Sequence, residues 1–177
     1  MTVVLVHGNP ETPVVWEPLL DALAARGVPR EQVVRLSPPG FGAPLPDGFP
    51  ATPAAYRDWL IGELEALDGP VDLLGHDWGG GHVATAVMAR PELVRSWASD
   101  ALGLFEPDYV WHDLARTWQT PGDGEANLDE MFGGTPEQRA AQMEEFGVGH
   151  AEALRIAGVQ GPDMKQAVLA LYRSAAQ

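Results

Sequence analysis

The sequence contains no cysteine, which excludes disulfides and thiolate metal sites. Basic residues are scarce: Lys and Arg number 11 against 25 Asp and Glu, for a formal net charge of −14. The acidity is spread evenly, −7 on each side of Leu104, so it is not a tail. Such a surface repels phosphate backbones and anionic membranes, and neither nucleic acid nor a membrane is an expected partner. No apolar run approaches the ~18 residues of a membrane span. The opening MTVVLVHGNP lacks a basic region and a small-residue cleavage site. No signal peptide is therefore expected, and the cytoplasm is the expected location.

What is present describes one domain. The 177 residues are 45% hydrophobic, enough for one real core and too few for two comfortable ones. Gly and Pro number 20 and 16, a high share that stays below low-complexity levels. Thr2 to Val6 reads as a fully buried strand, ended by His7-Gly8. A loop and helix follow over Glu11 to Arg26, with Trp16, Leu19, Leu20 and Leu23 on one face and Gly27 as the stop. Val33 to Leu36 is a second strand, followed by the loop SPPGFGAPLPDGFP. Thr52 and Pro53 open a helix whose buried stripe is Tyr56, Trp59, Leu60, Leu64 and Leu67. Val71 to Leu74, a small-residue helix over Gly79 to Arg90, and Val94 to Ser99 complete four strand–helix alternations.

That alternation predicts an α/β fold with a parallel sheet and flanking helices. Past Leu104 no convincing strand is visible. Helices are expected at Asp108–Trp118, Pro136–Phe146, His150–Ala157 and Asp163–Ser174. The expected organisation is an α/β part over 1–103 and a helical part over 104–177.

Chemistry concentrates after the third strand. Gly75-His76-Asp77-Trp78-Gly79-Gly80 fits the pattern Gly-x-nucleophile-x-Gly between a strand and a helix. The glycines permit a sharp turn, and the free N–H groups of the following helix favour negative charge. The ordinary alternative is an Asp that merely caps a helix.

The sequence resembles the α/β-hydrolase superfamily, in the branch of epoxide hydrolases and haloalkane dehalogenases. The strings that carry the resemblance are HGNP at His7–Pro10, PPGFG at Pro38–Gly42, GHDWGG at Gly75–Gly80 and RPELV at Arg90–Val94. The resemblance implies an α/β-hydrolase fold with a helical cap over 104–177. It also implies Asp77 as a nucleophile that forms an alkyl-enzyme ester. The backbone N–H groups of Trp78 and Asn9 would hold the oxyanion when water attacks that ester. The expected substrate is a small apolar organic molecule, and no cofactor or metal is called for.

The leaving group is less determined. In haloalkane dehalogenases an Asn after His-Gly and a Trp after the nucleophile hold the halide, as Asn9 and Trp78 would. The alternatives are a turn residue before Pro10 and packing at the mouth of the site. Epoxide hydrolase caps instead carry two tyrosines that protonate the opening epoxide. Leu171-Tyr172-Arg173 resembles one of their strings, and Trp118-Gln119-Thr120-Pro121-Gly122 resembles the string after the other. In that second tyrosine's place stands Leu114, which puts efficient epoxide opening in doubt. Tyr172 is a candidate substrate contact, against the alternative of apolar packing. Phe41 or Tyr172 is expected near the opening, and Tyr109 is a weaker candidate, read as structural.

Ester hydrolysis needs a histidine base with an acid to orient it. Asp100, at the end of the fourth strand, is the candidate acid, against a surface Asp. Of the five histidines, His7 and His76 belong to motifs with other roles. His82, His112 and His150 read as packed or surface residues, and none stands where the resemblance puts the base. Three readings follow: a fragment or short form, a binding module of the same fold without the chemistry, or an enzyme whose second chain supplies the missing strands and histidine.

Overall fold

The computed structural model describes residues 2–176. Its first strand, β1 (Val3–Val6), is apolar on both faces because both faces are covered. Val4 and Val6 pack into one cluster with Leu60, Leu64 and Val83, while Leu5 points the other way, onto Trp16 and Leu20. The strands β2 (Val33–Leu36), β3 (Val71–Gly75) and β4 (Val94–Ser99) join it. All pairings are parallel and the spatial order is β2-β1-β3-β4, as the strand–helix alternation predicts. On the Leu5 side lies α1 (Glu17–Ala24), entered through a 3-10 turn at Pro13–Trp16; on the other side lie α2 (Pro53–Glu65) and α3 (Trp78–Ala89).

Local chemistry sets the boundaries of these helices. Thr52 caps α2, its hydroxyl accepting from the Ala55 N–H at 3.2 Å, with Pro53 at the first helical position. Tyr56, Leu60 and Leu64 form the buried stripe. Glycine opens α3 because the helix leaves β3 against the neighbouring backbone. A Cβ on Gly75 would lie 2.6 Å from the Gly80 Cα, and one on Gly79 would strike the Val6 carbonyl oxygen.

Among the described residues no strand follows Ser99. Five helices occupy the region where four were expected: α4 (Asp113–Gln119), α5 (Asp123–Met131), α6 (Pro136–Glu145), α7 (His150–Ala157) and α8 (Pro162–Ala175). The first begins five residues later than expected, because His112 takes an extended conformation and caps it. The unexpected one, α5, has Gly124 in its first turn, where a Cβ would lie 2.9 Å from the Trp118 carbonyl oxygen. Close packing there overrides glycine's poor helix propensity. One apolar cluster, including Tyr56, Trp78, Trp118, Leu128, Val168 and Tyr172, runs from α2 and α3 into α4, α5 and α8. No helix among the described residues is long and apolar enough to cross a membrane.

Candidate active site

Asp77 occupies the turn between β3 and α3 with φ 50° and ψ −128°. Positive φ in a non-glycine residue is strained, and it persists only where the surroundings over-determine it. Those surroundings are identifiable. The Asn9 backbone N–H donates to Asp77 Oδ2 at 2.9 Å, and the His76 N–H is tied to the Val6 carbonyl at 3.0 Å. The Asp77 N–H donates to Asp100 Oδ1 at 3.1 Å. Burial pushes the Asp77 carboxyl above its ordinary pKa, and the backbone N–H groups of Asn9 and Trp78 pull it back. The HGNP turn and the turn after β3 therefore meet at one carboxylate.

Behind the carboxylate lies a charged trio. His76 Nδ1 is 2.5 Å from Asp100 Oδ2, and its Nε2 is 3.4 Å from Glu11 Oε1. Its pKa is raised to about 9, chiefly by Glu11, with Asp100 adding to the effect and burial opposing it. The imidazolium in turn helps hold Asp100 below the usual carboxylate range against the opposing effect of burial.

Above the carboxylate, Tyr172 on α8 is enclosed by aromatic rings. Trp118, Trp78 and Trp111 lie at centroid distances of 4.8, 5.4 and 5.9 Å from it. Burial pushes its pKa up to about 12, the Asp77 charge adds to that, and the Trp78 and Asn9 side chains oppose it. The Asn9 side-chain amide donates to the Tyr172 hydroxyl at 3.4 Å. Two cavities flank Asp77. One of about 100 Å³ is lined by Trp78, Leu104, Tyr109 and Trp111, among others. A larger one of about 300 Å³ runs under α6 and α7, lined by Asn9, Glu11, Leu114, Trp118, Met143 and Ile156, among others.

The structure thus brings Asp77, Asn9, Trp78, Tyr172 and Asp100 together. It does not bring Phe41 with them: Phe41 is 2% exposed, packs against Tyr56 at 6.0 Å, and lines neither cavity. Leu114, in the place of the second tyrosine, does line the larger cavity. Tyr109, the weaker candidate, and His112, read from sequence as a packed or surface residue, both line the smaller one. The unequal spacing of residues in an irregular segment gave no sign that either faces Asp77. His82 lies buried, stacked on Tyr56 at 4.8 Å and Trp78 at 6.0 Å. His150 is exposed and pairs with Glu144 at 2.7 Å. His7 is buried with its Nδ1–H donating to the Gly8 carbonyl at 2.9 Å. Among the described residues no cluster of three or more His, Asp or Glu could hold a metal ion.

Comparison with known proteins agrees with this geometry. The model of the alpha/beta hydrolase family matches residues 3–174, and the chain belongs to that family. The resemblance seen in the motifs is borne out at that level. A protein of Mycobacterium tuberculosis named "Probable oxidoreductase EphD" is 33% identical over 133 residues, covering 67% of this chain and 21% of that protein. An epoxide hydrolase of Caballeronia sordidicola is 34% identical over 94 residues, covering 51% of this chain and 27% of that protein. The crystal structure of epoxide hydrolase VrEH1 from Vigna radiata superimposes with a TM-score of 0.75 at 19% identity, covering 98% of this chain and 65% of that one. This chain therefore spans about a fifth to a quarter of the length of the two sequence relatives.

Proposed function

We propose that the chain opens epoxides by carboxylate attack, with Asp77 as nucleophile and Tyr172 as proton donor. The supporting observation is the direction of the donors around Tyr172. The Asn9 amide donates to its hydroxyl, and the Trp78 side chain acts on the same group. A hydroxyl that accepts from neighbours keeps its own proton to give. Epoxide opening needs that proton, because the ring oxygen leaves carbon as an alkoxide. A departing halide needs bare N–H donors instead, and here those of Asn9 and Trp78 face a phenol oxygen. Dehalogenation, the second reading, rests on the presence of Asn9 and Trp78 and would need the Tyr172 hydroxyl to turn aside.

In this reading residues 104–177 form a cap over the nucleophile elbow, and a small apolar epoxide occupies the cavities beside Asp77. The ester that forms must then be attacked by water. The histidines of the two turns that meet at Asp77 are not placed to take that water's proton. His76 is held between Glu11 and Asp100, and His7 is buried with Nδ1 already donating. The base would come from polypeptide outside the described residues, from a second chain or a further segment. The outer edge of β4, where Trp97 is 44% exposed, is where an added strand would pair. A non-catalytic binding module would keep the same cavities and form no ester.

The test is mass spectrometry after incubation with an epoxide. A persistent adduct on Asp77 is expected with little diol, since loss of general-base help costs about 10²–10⁴ in rate. Asp77→Asn should abolish the adduct, and Tyr172→Phe should slow its formation by about 10²-fold or more. An unmodified Asp77 would refute the epoxide reading and favour the binding module. Steady turnover by this chain would refute only the stall.

A further inference from the structure

We propose that Arg139 and Gln160 form a hydroxyl-binding subsite in the larger cavity, which selects epoxides carrying an alcohol at the end remote from the ring. The proposal rests on the epoxide reading above and names the substrate class for the same cavity. Arg139 lies on α6, and Gln160 follows α7. Both line the larger cavity, and neither lines the smaller one beside Asp77. The wall of the larger cavity is otherwise largely apolar, with Met131, Met143, Phe146, Val148 and Ile156.

Each of these two residues keeps one polar atom buried without a partner. Arg139 Nε–H donates to nothing, and Gln160 Oε1 receives nothing. A buried polar group left unmatched is costly, so each calls for an occupant that matches it. The rest of the Arg139 guanidinium is engaged. Its Nη atoms donate to the carbonyls of Phe132, Gly134 and Ala157 at 2.8–3.0 Å, which fixes the plane of the group. Ala157 closes α7 shortly before Gln160, so the two unmatched atoms belong to one corner of the helical part.

What remains unmatched sets the chemistry of the occupant. One donor and one acceptor are open, and an alcohol answers both. Its oxygen accepts from Arg139 Nε–H, and its hydrogen goes to Gln160 Oε1. An ether accepts only. A carboxylate fits less well for two reasons. The Arg139 charge already faces three carbonyl oxygens, two of them at the C-terminal ends of α5 and α7, where the helix dipole is negative. Glu11 and Asp77 also line this cavity, in a chain of net charge −14. A third unmatched acceptor, Asn9 Oδ1, stands beside Asp77 and is the competing place for a hydroxyl. With the alcohol held at Arg139, an apolar chain along the cavity leaves the epoxide at Asp77.

The plain alternative is that water serves both atoms and the cavity selects nothing. Binding is followed by tryptophan fluorescence, since Trp118 lines the cavity. Hexanol, hexyl methyl ether and hexanoate are the unreactive probes. The ether is the most apolar of them, so a purely apolar cavity would prefer it. Hexanol should instead bind about 3- to 10-fold more tightly than the ether, and hexanoate least tightly. Gln160→Leu should erase the preference for the alcohol without lowering the thermal midpoint, because it removes an unmatched polar atom. Gln160→Met serves if that variant folds poorly. An ether that binds as well as the alcohol, or hexanoate binding tightest, would overturn the subsite. So would a preference that survives both Gln160 variants, which would place the hydroxyl at Asn9. The reaction is read separately, as the rate of adduct formation on Asp77 with hexene oxide and with its analogue hydroxylated at the far carbon. At low concentration the hydroxylated epoxide should react about 3- to 10-fold faster, and Gln160→Leu should remove the difference. Equal rates would overturn the substrate class. A preference for hexanol in binding, with no adduct from either epoxide, would overturn the epoxide reading and leave the hydroxyl subsite standing.

Discussion

Two buried histidines make this chain sensitive to mild acid. His7 is 0% exposed and His82 is 2% exposed. Burial lowers their pKa values to about 4 and about 3, against 6.5 for the free side chain. For His7 the hydrogen bond to Gly8 opposes burial, and for His82 the neighbouring His7 charge reinforces it. A histidine depressed in the folded state is neutral there while its unfolded counterpart takes up protons. Stability from it is present above the unfolded pKa and drains away as pH falls from 6.5 towards the folded value. At pH 5 each ring has cost about 2 kcal/mol relative to neutrality, and the two together about 4 kcal/mol. A domain of this size has about 5–15 kcal/mol to lose. The carboxylates held below their ordinary range, such as Asp72 and Glu92, lose their contribution only below about pH 4. The window between pH 5 and 7.5 therefore belongs mainly to these histidines. Urea unfolding followed by tryptophan fluorescence should show a fall of about 4 kcal/mol across it. His82→Phe, which can keep the stack on Tyr56 and Trp78, should remove about half of that fall. A stability at pH 5 within about 1 kcal/mol of the neutral value would show that these rings hydrate or reorient without resisting protonation.

Two further outcomes follow from the same structure. His76, with its pKa raised to about 9, contributes stability that is complete below 6.5 and is lost as pH rises through 9. Because its side chain is 39% exposed and Asp100 is 59% exposed, screening leaves about 1 kcal/mol of it; His76→Gln should flatten the urea midpoint between pH 6.5 and 9. Arg139 donates to the carbonyls of Phe132, Gly134 and Ala157 at 2.8–3.0 Å, joining the ends of α5 and α7. Arg139→Met should cost about 1–3 kcal/mol and raise amide exchange at those two helix ends, while an unchanged exchange pattern would mean that water serves the carbonyls as well.

The sheet was legible because its signals are local and repeated. Four short strand patterns are separated by helical patterns, and the first, apolar along its whole length and covered on both faces, belongs inside a parallel sheet. Asp77 was legible for a similar reason: glycines on either side of one acid, placed after a buried strand, leave few other conformations. The helical part was harder to read. Its helix α5 begins Asp-Gly-Glu-Ala-Asn, a string with no apolar stripe, and its existence depends on close packing of Gly124 against Trp118 and Leu169. Phe41 or Tyr172 is the sequence's expectation for the opening, and Phe41 lies in a glycine-rich loop. The loop instead folds inward, with Ser37 donating to the Phe41 carbonyl at 2.7 Å. That His112 lines the cavities beside Asp77 was invisible because histidine at an N-cap has no strong sequence signature, and its position depends on how α4 and α8 pack.

The resting geometry also bears on why the proposed reaction divides where it does. Asp77 Oδ2 already receives the Asn9 N–H at 2.9 Å, and the Trp78 N–H supports the same carboxylate. Oδ2 is thus held from behind. In the proposed reaction the other oxygen would be the one to attack a carbon in the cavity. If water then added to the ester, negative charge would collect on the oxygen that is not esterified, which is the one Asn9 already holds. The donors need not move between the two steps, so the electrostatic stabilisation carries no reorganisation cost. Gly8 is a condition of this arrangement. A Cβ there would lie 2.5 Å from the Asp77 Cβ and 2.8 Å from its Cγ. Any side chain at that position would push the carboxylate off the Asn9 N–H. The His-Gly pair after β1 and the Gly-His-Asp turn after β3 are therefore two halves of one device, joined because β1 and β3 are neighbours in the sheet, with Val6 paired to Gly75. In the proposed reaction the donors around Asp77 would hold the oxyanion and would not take the proton of the attacking water.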